Sequence, residues 1–190
     1  MQVMIVGILL WVAAHFFKRV LLDARAAMER VMGAGPARGA IAGVIALSIV
    51  LMVVGFRAEP YAPVYTPLPG MGHLNNLLML VALFLSGAGN SKGRARTWLR
   101  HPMLWSVVIW SGAHLLVNGD LASIVLFGSL GIWAVVQMLL INRAEGDWQR
   151  PEPGPIKGDI KLAVISLVLF AIITGIHIWL GHNPFLGTYA

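Results

Sequence analysis

Cysteine is absent from this sequence. Its absence excludes disulfides, zinc–thiolate centres, a thiolate ligand to haem iron, and covalent c-type haem attachment through Cys-x-x-Cys-His. Charge is scarce too: 12% of the 190 residues are Asp, Glu, Lys or Arg, against 58% hydrophobic. A soluble domain of this length needs far more polar surface to cover its core. The eight carboxylates all fall between hydrophobic runs, Asp120 directly before one. With no Asp or Glu pair inside a run, carboxylate proton relays, di-iron carboxylate centres and two-carboxylate acid–base catalysis are removed. There is no His-Glu-x-x-His array, and Ser, His and Asp form no nucleophile motif. The formal charge of +6 is spread over loops and not gathered on a soluble face, so no nucleic-acid partner is expected.

What the sequence does have is long apolar runs: residues 3–17, 41–56, 74–88, 103–117, 121–141 and 160–181. Blocks of this kind are what a lipid solvent demands, with flanking residues completing the ~20 needed to cross it. The fold expected is an all-α integral membrane protein, a six-transmembrane-helix bundle forming one domain over residues 1–190. The basic residues support the count. Lys18, Arg19, Arg25, Arg30 and Arg38 lie in the first loop. Lys92, Arg94, Arg96 and Arg100 lie in the third, and Arg143, Arg150, Lys157 and Lys161 in the fifth. Arg57 alone lies in an even-numbered loop, so thirteen of the fourteen basic residues mark one side. The positive-inside rule makes that side cytoplasmic, in a bacterial inner membrane, with both termini periplasmic. Membrane lipid is then the first partner. The N-terminal run has no basic region before it and no small-residue cleavage site, and is expected to be a retained helix.

The loops carry their own expectations. Residues 18–29, of mixed charge but apolar at intervals, suggest a continuation of the first helix ending near Gly33-Ala34-Gly35-Pro36. The segment from Glu59 to Gly72 holds Pro60, Pro63, Pro67 and Pro69 with Tyr61 and Tyr65, and suits either an ordered outer cap or a lid. Pro151, Pro153 and Pro155 suggest a flexible connector in the fifth loop.

Histidine is the remaining chemistry. His15 and His114 fall within runs; His73, His101, His177 and His182 fall at or near their ends. An imidazole in hydrocarbon requires a partner, so each of the first two marks a candidate site. His15 follows Trp11 by four residues and His114 follows Trp110 by four, which puts ring and imidazole on one helical face. Two such residues on facing helices can ligate a b-type haem; the alternative is hydrogen bonding to a neighbouring helix. His73 with His114 is a second pair to consider. Arg100-His101-Pro102 is a different signal. Pro102 suits the first position of a helix, and Arg100 and His101 beside that positive terminus suit an anionic group such as a phosphate or propionate.

Arg100-His101-Pro102-Met103-Leu104, then Trp110-Ser111-Gly112-Ala113-His114-Leu115-Leu116-Val117-Asn118-Gly119-Asp120 and Leu126-Phe127-Gly128, resembles the NnrU family. His15 followed by a basic-rich segment with a Gly-Pro turn, and His73 leading into the third run, extend the likeness over nearly the whole chain. The resemblance implies a bacterial membrane protein associated with nitrogen-oxide metabolism, often denitrification, beside a respiratory membrane complex. A related enzyme, 15-cis-ζ-carotene isomerase, is a membrane protein holding haem b. Similarity to it implies His15 and His114 as haem ligands, with a lipophilic small molecule such as a cis-carotene as substrate. Where that isomerase has a cysteine three residues before its second ligand, this chain has Ser111. Arg100-His101-Pro102 is also similar to membrane methyltransferases that use S-adenosylmethionine, but their acidic pair is matched here only by Glu145 and Asp147, split by Gly146.

Overall fold

The computed structural model describes residues 1–186, apart from the side chain of Lys18. Its regular elements are α1 (Gln2–Val20), α2 (Leu22–Met32), α3 (Ala34–Arg57), α4 (Met71–Ala88), α5 (Pro102–Val117), α6 (Leu121–Glu145) and α7 (Ile156–Trp179), with one 3-10 turn at Ala95–Thr97. Among the described residues there is no strand, only an isolated bridge between Pro63 and Asp120. Each apolar run of the sequence lies in a helix, because hydrocarbon cannot solvate unpaired backbone and a helix pairs its own. Four of them, α3, α4, α6 and α7, are long and apolar enough to cross a membrane unaided. Gln2–Phe17 passes the same test only jointly with Leu22–Met32, and α5 is apolar but shorter. The chain is therefore an all-α membrane protein. It divides into two compact units, Met1–Ala62 and Pro63–Ala190.

In the first unit α1 and α3 pack antiparallel through small residues. A Cβ on Gly7 would come within 2.7 Å of the Met52 backbone nitrogen and 2.8 Å of the Ser48 carbonyl oxygen, and one on Gly55 would overlap the backbone of Met4. Glycine at both places lets the helices approach backbone to backbone, which is how helices gain packing in lipid, where apolar burial supplies no drive. Met4 and Ser48 are fully buried in this seam, and the Ser48 hydroxyl donates to the Ile45 carbonyl at 2.6 Å. The terminal ammonium of Met1 pairs with Glu59 and closes one end.

The first helix does not continue through residue 29 as its sequence suggests. It breaks at Leu21, and the axis turns by 86° into α2. No residue of α2 is buried, and Arg25 Nε donates to Glu29 at 2.8 Å along its surface. A helix bearing Asp23, Arg25, Glu29 and Arg30 beside Leu22, Ala26 and Val31 suits an interface better than an extension of a membrane helix. Gly33, at φ 84°, supplies the left-handed backbone that ends α2 and admits α3.

In the second unit α4 packs on both α5 and α7, and α5 also packs on α6, so the spatial order is α7, α4, α5, α6. Small residues again set the seams: Gly87 beneath Leu162, Gly89 beneath Pro102, and Gly131 against Ser111. At the end where α5 and α7 begin, the loops are tied together. Asp159 accepts the backbone N–H groups of Arg94 and Ala95 at 2.9 Å each, and Gly154 N–H donates to the Gly93 carbonyl at 3.2 Å. Arg96 Nε donates to the Glu152 carbonyl at 3.0 Å. The proline-rich fifth loop is thus pinned at three places and is no free connector, because α4 and α7 need their ends joined.

At the opposite end Val64 and Tyr65 donate their N–H groups to the Gly119 carbonyl at 2.8 and 3.1 Å. The Tyr65 hydroxyl donates to the carbonyls of Leu115 and, at 2.9 Å, Asn118. Residues 63–65 are an ordered strap across the α5–α6 turn, which decides between cap and lid in favour of the cap.

Candidate functional site

His114 sits one turn before the end of α5, half-buried against α6. Its Nδ1 lies 2.9 Å from the Trp110 carbonyl oxygen. A carbonyl can only accept, so Nδ1 carries the proton and Nε2 keeps its lone pair. Trp110 lies 5.0 Å from the imidazole, centroid to centroid, and Phe127 of α6 stacks on it at 4.5 Å and 26°. Trp110 meets Phe127 edge-on at 4.9 Å, so three rings hold one another's rotamers. The carbonyl of His114 accepts from Asn118 Nδ2 at 2.8 Å, and the strap residue Tyr65 holds the next carbonyl. The imidazole is therefore fixed in ring plane, tautomer and backbone.

Around it the α5–α6 seam is polar where lipid offers nothing. Ser111, 3% exposed and packed on Gly131, has no hydrogen-bond partner for its hydroxyl among the described residues. Gln137, 4% exposed, has none for its carbonyl oxygen. The antiparallel register set by Ser111–Gly131 and His101–Asn142 puts Gln137 level with Ser106.

The other residues singled out in the sequence are placed as follows. His15, in α1 of the first unit, is partly buried, with Nδ1 2.8 Å from the Trp11 carbonyl and its ring 4.3 Å from the indole. It shares the tautomer of His114. Arg100 donates to the Gly146 carbonyl at 2.5 Å and stands 3.8 Å from Glu145, and His101 Nε2 lies 2.8 Å from Asn142 Oδ1. Both anchor the start of α5 to the end of α6, where Gly146 at φ 67° terminates the helix. Thirteen residues of helix, about 20 Å, separate His101 from His114. The structure thus groups Arg100 with His101 and sets both apart from His114. His177, exposed on α7, repeats the Nδ1 bond to a carbonyl four residues back, at 2.8 Å from Ile173. That bond alone marks no site; burial and the aromatic clamp distinguish His114. Among the described residues no group of three His, Asp or Glu is arranged to hold a metal ion.

Phe127 and Asp159 were not legible as site or anchor residues in the sequence. Phe127 falls four residues after Ser123 on the buried face of α6, a spacing that marks it as core and says nothing of an imidazole beside it.

Apolar helices joined by small-residue seams, with an imidazole clamped near one helix end, define an integral membrane protein with a candidate ligand-bearing histidine. The chain belongs to the NnrU family, whose description is "NnrU protein" and which matches residues 3–184. It is also similar to a UPF0344 protein of Bacillus velezensis, at 26% identity over 114 residues, covering 57% of this chain and 89% of that protein. No solved structure matches it.

Proposed function

We propose that this NnrU-family protein binds haem b and acts in nitrogen-oxide metabolism, including denitrification, as a redox or sensing component of a bacterial inner membrane. His114 would be one residue holding the haem iron, and the family resemblance implies His15 as a second. The observation that carries the reading is the state of His114: half-buried, clamped between Trp110 and Phe127, with Nδ1–H committed to a carbonyl and the Nε2 lone pair left to coordinate. That donor chemistry fits ferrous or ferric porphyrin iron. Haem would supply a one-electron centre. The chain's own residues hold the imidazole's plane and tautomer.

In this reading α1 and α5 cross the membrane as well, giving six spans. At ~1.5 Å per residue they reach roughly 28 and 24 Å, and non-helical flanking residues complete the shorter α5 span. The basic loops then lie in the cytoplasm and both termini in the periplasm. About 20 Å of α5 separates His101 from His114, so a phosphate bound at Arg100 and His101 would be a ligand separate from a haem held through His114.

Detergent-purified protein from haem-replete cells should show a Soret band, and His114→Ala should lose it while remaining monodisperse. Well-folded protein purified without haem overturns the proposal. A second reading, a haem-dependent polyene isomerase, draws on the apolar rings beside His114; Ser111, in place of the relative's cysteine, weighs against the same chemistry. An unchanged carotene isomer profile in a producing host retires it.

A further inference from the structure

Two glycines bring two basic segments together where α7 begins. A Cβ on Gly158 would lie 2.6 Å from the Cα of Gly93 and 2.7 Å from the carbonyl carbon of Lys92, so backbone rests on backbone. Lys92 and Arg94 flank Gly93. Lys157 precedes Gly158, and Lys161 follows one helical turn later on the same side of α7. All four cations are exposed. The carboxylate at the junction, Asp159, has its two oxygens turned to the backbone N–H groups of Arg94 and Ala95. Among the described residues no ion pair joins Lys92, Arg94, Lys157 or Lys161 to a carboxylate.

This arrangement is unfavourable on three counts. Lys157 lies in the first turn of α7, where the helix dipole repels cations, and Lys161 lies in the second. They are a like-charged pair four residues apart, which destabilises a helix. The Gly93–Gly158 contact then adds Lys92 and Arg94 to the same spot. Membrane topology asks for cations on this side of the bilayer. It does not ask for four of them on one contact at the wrong end of a helix. An anion seated there relieves all three.

We propose that this junction binds the phosphate headgroup of an anionic phospholipid. The surroundings supply what an acyl chain needs. Ile160 and Val164 are exposed on α7 just beyond the cations. Trp98, also exposed, stacks on Phe84 of α4 at 5.9 Å, and Phe84 packs on the buried cluster of Ala88, Ala95 and Leu162. An indole with one polar edge marks the level of the headgroups. The seam between α4 and α7 therefore offers a charged platform with an apolar wall beneath it. The site is independent of the haem assignment.

Native mass spectrometry of the detergent-solubilised protein, titrated with phosphatidylglycerol or phosphatidylcholine, tests this. The wild type should prefer phosphatidylglycerol. The double variant Lys157→Gln, Lys161→Gln should lose most of that preference, roughly twenty-five-fold at the limit where each cation contributes about five-fold. Arg143→Gln, which removes an exposed cation from the last turn of α6, should behave as wild type. Equal retention of the two lipids overturns the proposal, as does a loss in the double variant no larger than in Arg143→Gln. Displacement of phosphatidylglycerol by millimolar inorganic phosphate would make this a soluble-anion site and also overturn it.

Discussion

Removing the Asp159 carboxylate should loosen the α4–α7 pair, by an amount the structure sets. Its two oxygens accept N–H groups of unequal exposure: Ala95 is 1% exposed, whereas Arg94 is on the surface. In Asp159→Ala the Arg94 amide recovers water, at a cost of about 0.5 kcal/mol. The Ala95 amide cannot, and an orphaned buried donor costs roughly 1–3 kcal/mol. The sum is about 1.5–3.5 kcal/mol. At roughly 2–4 °C per kcal/mol for a chain of this size, the melting temperature should fall by about 3–14 °C. Asp159→Asn keeps one carbonyl oxygen, which can stay on Ala95, and should fall by only about 1–2 °C. Tryptophan fluorescence on heating in detergent reads both, since Trp98 lies just past the 3-10 turn that Asp159 holds. Hydrogen exchange should quicken across residues 91–97 in the Ala variant before it does elsewhere. If the two variants melt together, or Asp159→Ala melts within about 1 °C of wild type, the carboxylate is not the tie.

Tyr65→Phe should release the strap from Leu115 and Asn118 at about 1 kcal/mol, seen as faster exchange at residues 63–65 with the rest unchanged. Burial, reinforced by the Asp120 carboxylate, raises the Tyr65 hydroxyl above the ordinary phenol range. A raised acid stabilises fully below its unfolded pKa and loses that stability as pH climbs through the folded one, so strap protection should fade at alkaline pH in wild type but not in Tyr65→Phe. Gly55→Leu should force α1 and α3 apart, because its Cβ meets the Met4 backbone and no rotamer can yield; aggregation or a melting loss of several degrees is expected. Asp120→Ala should remove the cap that accepts Ser123 N–H at 2.9 Å and cost about 1 kcal/mol, measured by thermal melting.

The helices were legible because a lipid solvent writes them as unbroken apolar runs, and the break at Gly33 was legible because glycine and a following proline punctuate helices. The turn at Leu21 was not. Nothing in Lys18-Arg19-Val20-Leu21-Leu22 breaks a helix locally; what ends α1 there is the change from membrane seam to amphipathic surface, a property of surroundings. The ties at Asp159 and Tyr65 escaped for a related reason. Each joins a side chain to backbone groups more than fifty residues away, or close to it, and periodicity carries no record of such pairs. His15 and His114 stood out by being imidazoles inside apolar runs. Their tautomers did not, yet both follow from the same geometry, since a helix presents the carbonyl four residues back to any histidine in a suitable rotamer.

A histidine bonded to the carbonyl four residues back is not yet a ligand. His177 makes it too, on an exposed face. What a ligand needs beyond the right tautomer is a ring that cannot turn away, and only packing supplies that. Around His114 the packing comes from α6: Gly131 lets the helix close on Ser111, and the closeness brings Phe127 flat against the imidazole. If His114 holds haem as proposed, Phe127→Ala should lower the Soret absorbance per folded protein more than its loss of stability alone would. What sets His114 apart from the other histidines is the α5–α6 seam that immobilises it.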